Sequence, residues 1–175
     1  MIGTVVEQVK DILKTINPEY IFECDEARML NVKIDTVPRF VKKDGKQVVN
    51  SFIYLEEPTH GYYNIPYRGF QKQQTFLRIY FCKFEEMHND AYSGDTTWSE
   101  NSPTVKRITL RDWIEEEMVR PFLYKLKKHE IGMRYPKMME TIRVVYPRTR
   151  FDANEVSVGL EIMYEEDVCL DAYKN

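Results

Sequence analysis

The strongest structural signal in the chain is Arg150-Phe-Asp-Ala-Asn-Glu155-Val-Ser-Val-Gly-Leu160-Glu-Ile-Met-Tyr164. Val156, Val158, Leu160, Ile162 and Tyr164 fall on one side of an extended chain, and Ser157, Gly159, Glu161, Met163 and Glu165 on the other. A period of two residues is that of a half-buried β-strand. The preceding run, Ile142 to Phe151, supplies a partner, and Asp152-Ala153-Asn154-Glu155 supplies the turn, so an antiparallel hairpin is expected.

Working outward, Phe76 to Phe84 alternates Leu77, Ile79 and Phe81 against Arg78, Tyr80 and Cys82, which reads as a central strand. Leu30, Val32 and Ile34 alternate with Asn31, Lys33 and Asp35 in a further strand. The Asp44-Gly45 turn within Lys42 to Lys46 then leads into a strand over Val48 to Leu55. Val5, Val6, Val9, Ile12, Leu13 and Ile16 recur at helical offsets, and Asn17-Pro18 closes that helix. Thr109 to Asp112 resembles a capping box, and Leu110, Trp113, Ile114, Met118, Phe122 and Leu126 form the buried stripe of a second helix. Pro121 within it predicts a kink or break near residue 120. Lys125, Lys127 and Lys128 complement the dipole at its C-terminal end. The expected fold is α+β: a mostly antiparallel sheet of about five strands with two helices on one face, in the order α-β-β-β-α-β-β. Residues 1–175 form one domain in this reading, with long loops at 56–74 and 85–107.

At 175 residues the chain is long enough to bury a core without staples. With 43% hydrophobic and 30% charged residues and a net charge of −3, it is neither a disordered tail nor an overall basic nucleic-acid binder. The longest uncharged stretch, Pro58 to Tyr67, is ten residues, too short for a membrane-crossing helix. Glu7, Lys10 and Asp11 interrupt any signal-peptide core near Met1, so a soluble protein that is not evidently exported is expected. Cys24, Cys82 and Cys169 are too far apart for a metal clamp and odd in number, and read as reduced thiols.

Catalytic motifs are absent: there is no GxGxxG, Walker loop, HExxH or GxSxG. His60, His88 and His129 are scattered without a second ligand at metal spacing. The pairs Glu56-Glu57, Glu85-Glu86 and Glu165-Glu166 are adjacent, and neighbours on a strand point to opposite faces. Glu115-Glu116-Glu117 reads as a wet helix face. No catalytic residue, cofactor or metal is therefore assigned.

Two features stand out. Tyr62, Tyr63, Tyr67 and Phe70 crowd a segment punctuated by Gly61, Pro66 and Gly69. These rings either fold back and pack or form a protein interface, since Tyr and Phe are enriched at contact surfaces. Base stacking is a third option, thinly supported by Arg68 and Lys72. The second feature is charge segregation. Residues 120–150 carry nine bases and two acids, residues 151–175 one base and seven acids, and residues 85–102 five acids and no base. Either pairing within the molecule neutralises these blocks or they meet across a head-to-tail contact. Trp98 in the acidic loop, and Lys127, Lys128, Arg148 and Arg150 in the basic block, join the four aromatic residues as interface candidates.

The order of elements is similar to that of the tail terminator proteins of long-tailed bacteriophages. Thr75-Phe-Leu-Arg-Ile-Tyr-Phe81 carries the likeness for the central strand, Leu110-Arg-Asp-Trp-Ile-Glu-Glu-Glu117 for the helix, and Arg150 to Tyr164 for the hairpin. The resemblance implies a non-enzymatic subunit of a homo-oligomeric ring, a hexamer in that family. Such a ring terminates the tail tube and joins it to the head connector. It also implies assembly in the host cytoplasm, residence in the virion, and neither membrane nor sequence-specific nucleic-acid binding. The aromatic and acidic loops are additions to that pattern, which keeps open a neck or connector ring of another tail type. A monomeric binding module is a further alternative, and a metal-dependent nuclease or hydrolase the last.

Overall fold

The computed structural model describes residues 2–16, 21–25, 40–43, 46–49, 51–56, 58, 60–84, 103–128, 137–138, 141–147 and 155–173. It has an α+β fold, mainly antiparallel. The elements are α1 (Ile2–Lys14), β1 (Ile21–Asp25), β2 (Phe40–Lys43), β3 (Lys46–Val49), β4 (Ser51–Glu56), β5 (Gly61–Asn64) and β6 (Gln71–Phe84). A long helix follows, made of α2 (Pro103–Ile114), a π-helical turn (Glu115–Val119) and α3 (Arg120–Lys128). Then come β7 (Lys137–Met138), β8 (Arg143–Val145), β9 (Glu155–Val168) and a short 3₁₀ turn (Leu170–Tyr173).

The main sheet runs β1-β4-β6-β9-β7, with β5 paired to β6 and β8 to β9. β1 lies parallel to β4, and the other pairings of this sheet are antiparallel. Its spine is the β6–β9 ladder, paired without interruption from Gln71↔Val168 to Phe84↔Glu155. The expected hairpin between the 142–151 run and the final strand is present as β8–β9, Arg143 facing Glu161 and Val145 facing Gly159.

Ile53, Leu55, Leu77, Ile79, Phe81, Val158, Leu160 and Ile162 line the face that α1 and the long helix cover. Val9 and Leu13 from α1, and Ile114, Met118, Phe122 and Leu126 from the long helix, complete that core. Phe122 meets the Phe81 ring at a centroid distance of 5.7 Å. The opposite face is buried at its centre too, at Phe52, Tyr54, Tyr80 and Cys82. The final strand is thus more deeply enclosed than its alternation suggests, with Ser157 only 2% exposed.

Several expectations are corrected. The apolar run Val48 to Leu55 divides between β3, which pairs with β2 in a separate two-stranded sheet, and β4 of the main sheet. β1 was not anticipated. The expected loop 56–74 contains β5 and the start of β6, because Pro58, Pro66 and Gly69 lie outside a short β-forming stretch that Gly61 opens. Residues 103–107 of the expected loop 85–107 are helical, Pro103 occupying the first turn, where its missing N–H costs nothing. Thr109 is consequently not a cap: its hydroxyl donates back to the Val105 carbonyl at 3.0 Å, inside the helix. The irregularity expected near residue 120 is present as an interruption of the α-helix at Glu115–Val119, although the chain stays helical through Pro121. The turn before it widens to π geometry, with the Arg120 N–H bonded to the Glu115 carbonyl, which relieves the conflict between the proline ring and the preceding turn. The strand expected at Leu30–Asp35 lies outside the described residues.

Candidate functional site

Residues 71–76 at the start of β6 are half-exposed and carry β5. At about 3.3 Å per residue they extend some 20 Å from Leu77, where full burial begins. The hairpin register is Gly61↔Thr75, Tyr62↔Gln74, Tyr63↔Gln73 and Asn64↔Lys72. Gly61 permits this close pairing, since a Cβ there would stand 2.6 Å from the Gln74 carbonyl oxygen. Gly69 in the connection has φ +107°, the left-handed conformation that favours glycine.

The base of the hairpin is anchored. The His60 ring stacks on Phe76 at 4.9 Å, and Tyr62 meets the same ring edge-on at 5.7 Å. On the other side of β6, Lys72 pairs with Glu165, and Gln74 Nε2 donates to Glu165 Oε2 at 2.9 Å. The hydrogen bond from Lys72 to Glu165, then the charge of that carboxylate, raise the lysine pKa above its ordinary value.

The tip is not anchored. Tyr67 is 99% and Phe70 82% exposed, and Ile65, Tyr63 and Tyr62 stand near 60%. Of the two main readings of these rings, the exposures favour the unpacked one: among the described residues, Tyr62 is the one of the four with an aromatic contact. The four aromatic candidates therefore share one hairpin, displayed to solvent.

Lys127 and Lys128 belong to a different element, the exposed last turn of α3, where Lys128 Nζ lies 4.5 Å from the Tyr124 ring centroid. Trp98, Arg148 and Arg150 lie outside the described residues. Part of the charge segregation is neutralised within the molecule. Arg78 Nε donates to Glu161 Oε2 at 3.0 Å, and Arg143 approaches Glu161 at 3.9 Å.

Sequence reasoning missed how these charges align. Glu56↔Arg78, Arg78↔Glu161 and Arg143↔Glu161 are directly opposed pairs, so a row of alternating charge crosses four strands on the face away from the helices. Each residue was visible on the polar phase of its strand, but only the register reveals the row. Beside it, Gly159 makes room for the Tyr80 ring, 3.1 Å from where a Cβ would stand.

Among the described residues, no group of three or more His, Cys, Asp or Glu side chains is placed to hold a metal ion. No helix among them is long and apolar enough to cross a membrane. What the surface offers is an exposed aromatic projection whose base is tied to β9 through Lys72, Gln74 and Glu165. Compared with known proteins, the chain matches no family model and shows no significant similarity to a curated protein.

Proposed function

We propose that this protein is a non-enzymatic structural subunit of a phage particle that assembles into a ring, terminating the tail tube and joining it to the head connector. The observation that carries the proposal is the exposed aromatic hairpin. At roughly 200 Å² per large side chain, the exposures of Tyr62, Tyr63, Ile65, Tyr67 and Phe70 amount to about 700 Å². Spread over both faces of the hairpin, that total approaches the ~800 Å² that each partner gives to a standard interface. The resemblance in element order to tail terminator proteins gives this sticky projection its context, and a rigid sheet presenting it suits a subunit that repeats around a ring.

Electron microscopy of the purified protein, at rising concentration and with its tail-tube and connector partners, tests the proposal. Annular particles are the expected result. A 21.0 kDa monomer under all of these conditions would overturn it.

A further inference from the structure

A recess of about 370 Å³ lies between the C-terminal ends of α1 and α3, lined by Asp11, Ile12, Thr15, Lys125 and Lys128. Its surface is largely apolar, and its charged lining residues are Asp11, Lys125 and Lys128. Part of this lining is fixed in place. Lys125 Nζ donates to both the carbonyl and the hydroxyl of Thr15, and the Thr15 hydroxyl donates to the Ile12 carbonyl at 2.7 Å. An apolar hollow lined in part by ammonium groups is complementary to an aromatic ring, whose face attracts cations.

The hairpin supplies such rings, with Arg68 between them, and the end of β9 beside its base supplies charge opposite to that of the lysines. Gln71, next to Phe70, pairs with Val168 and accepts a hydrogen bond from the Leu170 N–H at 3.4 Å. The segment bearing Asp167 and Asp171 therefore lies alongside the base of the aromatic tip. Tyr67, at 99% exposure, does not reach the groove of its own chain.

We infer that the α1–α3 groove receives the aromatic tip of the β5–β6 hairpin from a second copy of this chain, with Tyr67 or Phe70 seated between Lys125 and Lys128. The contact rests on the ring reading above and specifies both of its halves. Asp167 and Asp171 face Lys127 and Lys128 across it, so charge complementarity fixes the orientation. Because hairpin and groove are different surfaces, the contact is head-to-tail and repeats until a ring closes.

Mixing two defective variants tests it by sedimentation equilibrium. The hairpin variant carries Tyr67→Ser and Phe70→Ser; the groove variant carries Asp11→Trp and Lys128→Glu, both at exposed positions. Each alone should self-associate at least tenfold more weakly than the wild type and melt within a few degrees of it. An equimolar mixture should form a one-to-one dimer and stop there, since one intact hairpin meets one intact groove. Lys128→Glu alone should also weaken association. A groove variant that assembles like the wild type, or a mixture that stays monomeric, overturns the inference while leaving the ring reading intact. A wild type that is monomeric throughout, with its phage partners included, overturns both.

Discussion

Arg78 donates its Nε–H to Glu161 Oε2 at 3.0 Å across the β6–β9 ladder, with buried Glu56 on its other side at 3.9 Å. The hydrogen bond to Glu161 holds the guanidinium pKa above its ordinary value. One cation thus serves two carboxylates, and removing it leaves both with less compensation. Arg78→Met should destabilise the fold by about 2 kcal/mol, a charged hydrogen bond moderated by the partial exposure of Arg78. Arg143→Met, at a 74% exposed site 3.9 Å from Glu161, should cost less than about 0.5 kcal/mol. Urea denaturation of the two variants checks the ranking, and equal costs would show that the row has no buried centre.

The two close-packed glycines should separate core from hairpin. A Cβ at Gly159 would press on Tyr80, itself 7% exposed, so Gly159→Ala should cost about 1–3 kcal/mol, part of it recovered by Tyr80→Leu. A Cβ at Gly61 would meet backbone, the Gln74 carbonyl, so Gly61→Ala should spread the β5–β6 hairpin. Its effect should appear in assembly, with global unfolding nearly unchanged.

Tyr164 should contribute to the loss of stability at alkaline pH. It is 3% exposed, and among the described residues its hydroxyl has no hydrogen-bond partner. Burial pushes its pKa well above the ordinary 10.0. The stability linked to a raised acid pKa is complete below the unfolded value and is lost as pH rises through the folded one. Unfolding free energy should therefore decline above about pH 10. Tyr164→Phe should stabilise the protein by about 1 kcal/mol near neutrality, by removing an unpaired buried hydroxyl, and should flatten the decline. A loss of stability in Tyr164→Phe at pH 7 would mean that the hydroxyl is bonded.

Much of the fold was legible because its elements carry strong periodicity. The alternation from Val156 to Tyr164 and from Leu77 to Phe81, and the helical spacing from Val5 to Ile16, gave the spine, one helix and the α+β class. Less legible were features set by tertiary context. β1 is short and pairs with a strand far along the chain. β5 hides among Gly61, Pro66 and Gly69, residues that read as loop until its pairing with β6 is known. The accommodation of Pro121 depends on a widened turn that no residue pattern announces. The aromatic rings were visible as a cluster, but their exposure was not, since composition does not say whether a ring faces its own core or solvent. The groove between α1 and α3 combines residues more than a hundred positions apart and has no local signature.

Core and tip substitutions should have opposite signatures. Leu160→Asp or Ile162→Asp, each at a position no more than 1% exposed, buries a charge in the sheet and should unfold the subunit, as read by circular dichroism. Tyr63→Ser or Phe70→Ser should leave the melting temperature within a few degrees of the wild type and weaken association. If the tip changes cost as much stability as the core changes, the hairpin packs within the subunit. Raising the salt concentration should weaken association too, since the acids near the tip and the lysines of α3 are screened.

The ring reading meets its sharpest trial in sedimentation velocity of the wild type beside the Tyr67→Ser/Phe70→Ser variant over a concentration series, with the tail-tube and connector partners added in turn. A wild type that converts to one closed oligomer while the folded variant stays at 21.0 kDa is the predicted result. A wild type that remains monomeric throughout, or a variant that assembles as well as the wild type, would contradict the assignment of this hairpin as the contact that builds a ring.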